Sequence, residues 1–196
     1  MIFIIDKDLI YKPNEYLEIK RIVDDPSVNL ETDNNFKTMY CDFYFPSPVS
    51  PKFKKEYFGY MQQYRNNPPT FEEAINEIYK RTGEVHYSFA SKLVHTLNND
   101  SPILDQHVLR LMGFQINKSK NAKKKIDYYC TIYNTIKDEY LQYKNTNYMI
   151  KCIKQFDTMY PTYSDVSYFK KIDCLIFRLR DERITSILEL TDKDSK

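Results

Sequence analysis

Asp105 is the acidic residue whose setting could do chemistry. It lies in Ser101-Pro102-Ile103-Leu104-Asp105-Gln106-His107-Val108-Leu109-Arg110. Pro102 fixes the entry to a helix, and Asp105 stands where that helix begins. A carboxylate there meets the partial positive charge of the helix N-terminus. Such a group can hold negative charge against a reacting sugar. It can equally serve as a plain helix cap, since Asp is among the favoured N-cap residues.

Other chemistries find little footing. There is no H-E-x-x-H pattern and no Gly-rich phosphate loop, which removes the zinc-peptidase and nucleotide-hydrolase patterns. Cys41, Cys130, Cys152 and Cys174 are scattered with no C-x-x-C spacing; reduced thiols are expected, and neither a metal nor another cofactor is. His86, His95 and His107 all fall in or beside the stretch from Gly83 to Arg110. They are candidates for acid–base work or for hydrogen bonds within a packed helix face.

The elements around Asp105 read as helices. Thr70-Phe71-Glu72-Glu73 is a capping box, and Ala74, Ile75, Ile78 and Tyr79 continue it at helical spacing up to Thr82-Gly83. The next helix covers roughly Tyr87–Leu97, where the small pair Ala90 and Ser91 permits close packing. Residues 98–102 end it. A further helix spans about Leu104–Met112, with Gly113 as a left-handed cap. Asn117 to Lys125 is a basic loop carrying Lys118, Lys120, Lys123, Lys124 and Lys125, read either as a solvated loop or as a phosphate-facing patch. It leads into a long helix to about Tyr143, with Tyr128, Tyr129, Ile132, Tyr133 and Ile136 as its apolar stripe.

On the N-terminal side, residues 1–12 read as an apolar strand or an edge segment, and a short amphipathic helix is expected around Glu15–Asp24. Residues 25–50 read as loop, being rich in Asp, Asn, Pro and Ser, and Phe43-Tyr44-Phe45 is assigned to the core. Pro51 to Arg65 is helical. On the C-terminal side, Asn145–Met159 is a helix, Tyr160-Pro161-Thr162-Tyr163 a turn, and Ser164 or Asp165 the cap of a last helix. The run Lys170-Lys171-Ile172-Asp173-Cys174-Leu175-Ile176-Phe177 must be largely buried, and the tail after Thr191 is frayed.

With 196 residues, one buried core and one domain over 1–196 are expected. Only three glycines argue against a sheet-rich fold with many tight turns. Net charge is +2, so the distribution of charge matters more than its sum. The opening Met-Ile-Phe-Ile-Ile is interrupted by Asp6 and Lys7, too soon for a signal peptide, and nothing reaches membrane-span length. A cytoplasmic, all-α protein is expected.

Phe89-Ala90-Ser91-Lys92-Leu93, followed by Ile103-Leu104-Asp105-Gln106-His107-Val108-Leu109-Arg110, resembles the core of the helix-hairpin-helix DNA glycosylases, the 8-oxoguanine DNA glycosylase type in particular. The resemblance covers about Glu73 to Phe114, a core of roughly 70–114. It implies a single-domain helical bundle whose hairpin, here at Gly83, meets the DNA backbone. It also implies that Asp105 is the catalytic acid, and that the partner is duplex DNA with one base flipped out of the stack.

Two departures shape that expectation. The hairpin of this family has two glycines, whereas Glu84-Val85-His86 follows Gly83 here. Bifunctional members carry a catalytic lysine that would fall near Tyr87 or Ser88; Lys92 lies about one turn later, displaced by ~5 Å along the axis. A monofunctional route, with water as the nucleophile, therefore fits better. The resemblance then implies a hydrolytic DNA N-glycosylase without cofactor. It would act as a monomer, in repair or in defence against phage DNA carrying modified bases. Gln106, His107, Tyr87 and Lys92 are pocket candidates. Gly83 and the lysines of 118–125 are backbone candidates. The competing reading is a non-catalytic module on the same scaffold that binds nucleic acid or a protein.

Overall fold

The computed structural model describes residues 13–45 and 47–178. The extended segment expected over 1–12 and the tail after Thr191 lie outside them. Every regular element among the described residues is helical: α1 (Pro13–Asp24), α2 (Asn34–Tyr44), α3 (Pro51–Gln63), α4 (Phe71–Thr82), α5 (Tyr87–Leu97), α6 (Gln106–Leu111), α7 (Ala122–Lys144), α8 (Asn147–Met159) and α9 (Tyr168–Arg178). A 3-10 turn, Pro161–Tyr163, precedes α9. Contacts gather α1–α5 into one compact unit that closes at Asn98, and α6–α9 into another that starts at Asn99.

In the first unit, α4 packs along α5, with further contacts of α1 with α2, α3 with α4 and α1 with α5. The capping box forms as expected: the Thr70 hydroxyl accepts from the Glu73 amide, and Glu73 accepts from the Thr70 amide at 2.8 Å. Helix α2 corrects the loop expected over 25–50. Asp33 caps it by accepting from the Phe36 amide at 2.7 Å, and Phe36, Tyr40 and Tyr44, spaced by four, turn one face inward. The Asp and Asn residues that suggested loop are partly this helix's start signal.

The core of this unit is aromatic. Tyr40 sits among Phe36, Tyr44, Phe45, Tyr57 and Phe58, with ring centroids 4.8 to 6.0 Å away. Its hydroxyl lies 2.9 Å from that of Tyr57, which donates to the Phe89 carbonyl at 3.0 Å. These two buried phenols thus find partners inside, as their desolvation demands.

In the second unit, α7 packs against α8 and α9. Tyr168 donates to the Tyr140 carbonyl at 2.8 Å, and Lys171 meets Asp157 at 2.6 Å. Residues 170–176 are buried except Asp173, which is half-buried. Lys170, 5 % exposed, is neutralised there by Asp173 at 2.8 Å. The start of α9 differs from expectation. Ser167, rather than Ser164 or Asp165, accepts from the Lys170 amide, at 3.2 Å.

Helix α6 ends in a Schellman turn. The Phe114 amide reaches the Leu109 carbonyl at 2.8 Å, and the Gly113 amide reaches Arg110 at 3.2 Å. Gly113 has φ +75°, and an added Cβ would meet nothing within 4 Å. Gly113→Ala is therefore expected to cost only the left-handed strain, ~1 kcal/mol. The melting temperature should fall by about 2–4 °C; an unchanged value would contradict the left-handed geometry.

Candidate functional site

Asp105 is the N-cap of α6. Its Oδ1 accepts from the His107 amide at 2.9 Å and from the Val108 amide at 3.0 Å. Its backbone is extended, with φ −127° and ψ 179°. Two amides thus fix the carboxylate's orientation, and Oδ2 takes part in neither bond. The side chain is half-buried, with the buried Ile103 and Leu104 before it. Both readings of Asp105 survive in this geometry: it caps, and it keeps one oxygen for other work.

The neighbours on α6 are placed by packing. Gln106 is exposed and His107 half-buried. His107 Nε2 lies 2.9 Å from the Ile176 carbonyl, which can only accept, so Nε2 carries the proton and Nδ1 receives Arg110 at 3.2 Å. The imidazole ties α6 to α9. The sequence did not single out Tyr140 beside this site. Burial drives its phenol well above the usual range, and the carboxylates of Asp173, Asp105 and Glu139 push the same way. Burial likewise raises the Glu139 carboxyl. An α7 tyrosine thus shares its field with Asp105, a relation that residues 35 apart in sequence do not advertise.

The hairpin residues belong to the first unit. Gly83 has φ +80°, and its amide donates to the Tyr79 carbonyl at 2.8 Å. Nothing lies within 4 Å of where a Cβ would be, so the turn stands open to solvent. Tyr87 is half-buried at the start of α5. Lys92 is buried, and its Nζ donates to the Tyr44 carbonyl at 2.9 Å. That lysine is built into the helical core of its unit.

The basic segment divides between loop and helix. Lys118 and Lys120 are in the loop, whereas Lys123, Lys124 and Lys125 occupy the first turn of α7. All are exposed except Lys125, which is half-buried.

An open depression of about 230 Å³ lies between the start of α3 and the hairpin. Ser50, Phe53, Glu56, Arg81, Glu84 and His86 are among its lining residues. No local signal marks it, because its two halves are some thirty residues apart and each reads as an ordinary helix end. His86 sits edge-on to Phe53, centroids 4.8 Å apart, and 3.6 Å from Glu84. Burial lowers the imidazole pKa below the ordinary 6.5, with Glu84 opposing. A base held more weakly protonated in the folded state stabilises fully above the unfolded pKa. That stability is lost as pH falls through 6.5 towards the lower folded value. His86→Gln should flatten this part of the curve, read as melting temperature from neutral to mildly acidic pH. A variant curve as steep as the wild type would assign the effect elsewhere.

Among the described residues, no cluster of three or more His, Cys, Asp or Glu side chains is arranged to hold a metal ion. All four cysteines are free. No described helix is long and apolar enough to cross a membrane. Compared with known proteins, the chain matches no family model, no curated protein and no solved structure.

Proposed function

We propose that the chain is a hydrolytic DNA N-glycosylase, with Asp105 as the acidic catalyst. The observation that carries this reading is the carboxylate itself. Two backbone amides orient it through Oδ1, and Oδ2 lies outside those bonds. The order helix, left-handed glycine turn, helix, acid-capped helix, from α4 to α6, supports it as well.

A stacked base must leave the duplex before its bond to the sugar can be reached. As that bond breaks, the electron pair departs with the base and positive charge develops on the sugar. A fixed carboxylate stabilises this charge without reorganising. Water adds to the sugar carbon, its proton passes to the carboxylate, and that proton is then given up by way of solvent to the nitrogen of the departed base, so that the carboxylate is regenerated.

A second reading draws on another observation. Lys92 bonds the Tyr44 carbonyl and His107 the Ile176 carbonyl, so two pocket candidates perform structural work. That favours a non-catalytic nucleic-acid-binding module. One assay separates the two. Wild-type protein and Asp105→Asn are incubated with duplexes carrying a broad panel of modified bases, then treated with alkali to break abasic sites. Wild-type strand scission that disappears in the variant supports the enzyme. An absence of Asp105-dependent scission over the whole panel leaves the binding module.

A further inference from the structure

Lys118, Lys120, Lys123, Lys124 and Lys125 fall within eight residues, and none makes an ion pair among the described residues. Asp127 stands four residues after Lys123, yet the two are not paired. No acidic residue occupies the first turn of α7. Three of the lysines thus sit at the positive end of a 23-residue helix, where a cation is disfavoured and a carboxylate would stabilise. Helix stability disfavours this arrangement, and an anionic partner would favour it.

The segment is also ordered before any partner arrives. The Ser119 amide donates to Asn117 Oδ1 at 2.8 Å, the Asn121 amide to Ser119 Oγ at 3.1 Å, and the Lys124 amide to Asn121 Oδ1 at 3.0 Å. Two α7 tyrosines hold its base: Tyr129 accepts from the Asn117 amide at 3.2 Å, and Tyr128 donates to the Gln115 carbonyl at 2.6 Å. Backbone atoms are thereby satisfied locally, and the lysines between them project to solvent. An ordered cationic strip loses little backbone freedom on binding. The residues between the lysines are Ser119, Asn121 and Ala122, which provide no apolar run to enter a bilayer.

We infer that Lys118–Lys125 is a docking strip for the phosphate backbone of duplex DNA; that the polyanion is DNA rests on the glycosylase reading. Each lysine that neutralises a phosphate releases counterions, so binding should weaken steeply with salt and hardly at all with sequence. The test is fluorescence anisotropy on an undamaged labelled duplex over a series of salt concentrations. The wild type is compared with the quadruple variant Lys118→Gln, Lys120→Gln, Lys123→Gln, Lys124→Gln.

The plot of log affinity against log salt should become shallower by roughly 3 to 4 in the variant. A quadruple Lys→Arg variant should keep the wild-type slope. The Gln variant should melt no lower than the wild type, because it removes charge from the wrong end of a helix. An unchanged slope in a folded Gln variant overturns the inference. So does loss of binding to anionic phospholipid vesicles in that variant while DNA binding is untouched. Because the duplex is undamaged, no bond cleavage is scored. A protein that binds with the expected slope and excises no base retains this strip while losing the enzyme reading. One that excises bases with the slope unmoved does the reverse.

Discussion

On the glycosylase reading proposed above, Asp105→Asn should abolish base excision while leaving the protein as stable as the wild type. Asn caps a helix about as well as Asp, because its side-chain oxygen accepts the same amide bonds. The bonds now made by Oδ1 to His107 and Val108 can therefore persist in the variant. What disappears is the carboxylate that the proposed mechanism sets against the sugar. Loss of one preorganised electrostatic group commonly costs about 10²–10³ in turnover, and loss of the water-activating group as well should bring the rate to background. Asp105→Ala provides the complement. It loses charge and cap together, so the same inactivity should come with about 1 kcal/mol of destabilisation, or about 2–4 °C in melting temperature. Single-turnover assays and thermal melts on the two variants separate catalyst from cap. If Asn retained full activity, Asp105 would be only a cap.

Local signals predicted local structure well. Thr70 and Glu73 announced α4, Pro51 announced α3, and the break at Asn98–Pro102 separated α5 from α6, because caps and breakers act within a few residues. The same signals misled over 25–50. Asp33 reads as loop composition, although Phe36, Tyr40 and Tyr44 are spaced by four. Ser164, Asp165 and Ser167 are all good capping types, and only the hydrogen bond from the Lys170 amide singles out Ser167. Legible in the sequence were the position of Asp105 at a helix start and the clustering of the lysines. The candidate site was illegible wherever partners come from remote segments: Tyr140 beside Asp105, Tyr44 over Lys92, Ile176 on His107, and the depression between α3 and the hairpin. Spacing along a chain carries no information about such pairs.

Arg65 is the largest structural example of that blindness, and its loss should be the most damaging stability change outside the aromatic core. In sequence it is one arginine before the Asn66-Asn67-Pro68-Pro69 break. In the structure its guanidinium collects carbonyls from the end of α1 and the connection beyond it. Nε donates to Val23 at 2.7 Å, Nη1 to Val28 at 2.6 Å, and Nη2 to Ile22 at 2.9 Å and to Asp25. Gln62, one turn earlier on α3, accepts from the Leu30 amide at 2.7 Å, so two side chains pin the same connection. A cation at the C-terminal end of a helix also meets the favourable end of its dipole. Arg65→Ala removes every one of these donors and exposes half-buried carbonyls to incomplete solvation. A cost of about 3 kcal/mol is expected, lowering the melting temperature by roughly 6–12 °C. Arg65→Lys should recover little, because one ammonium cannot reproduce the planar fork that spans separate carbonyls. Urea denaturation of the two variants checks both statements. A lysine variant as stable as the wild type would mean that charge at the end of α1, rather than the multidentate clamp, holds this connection in place.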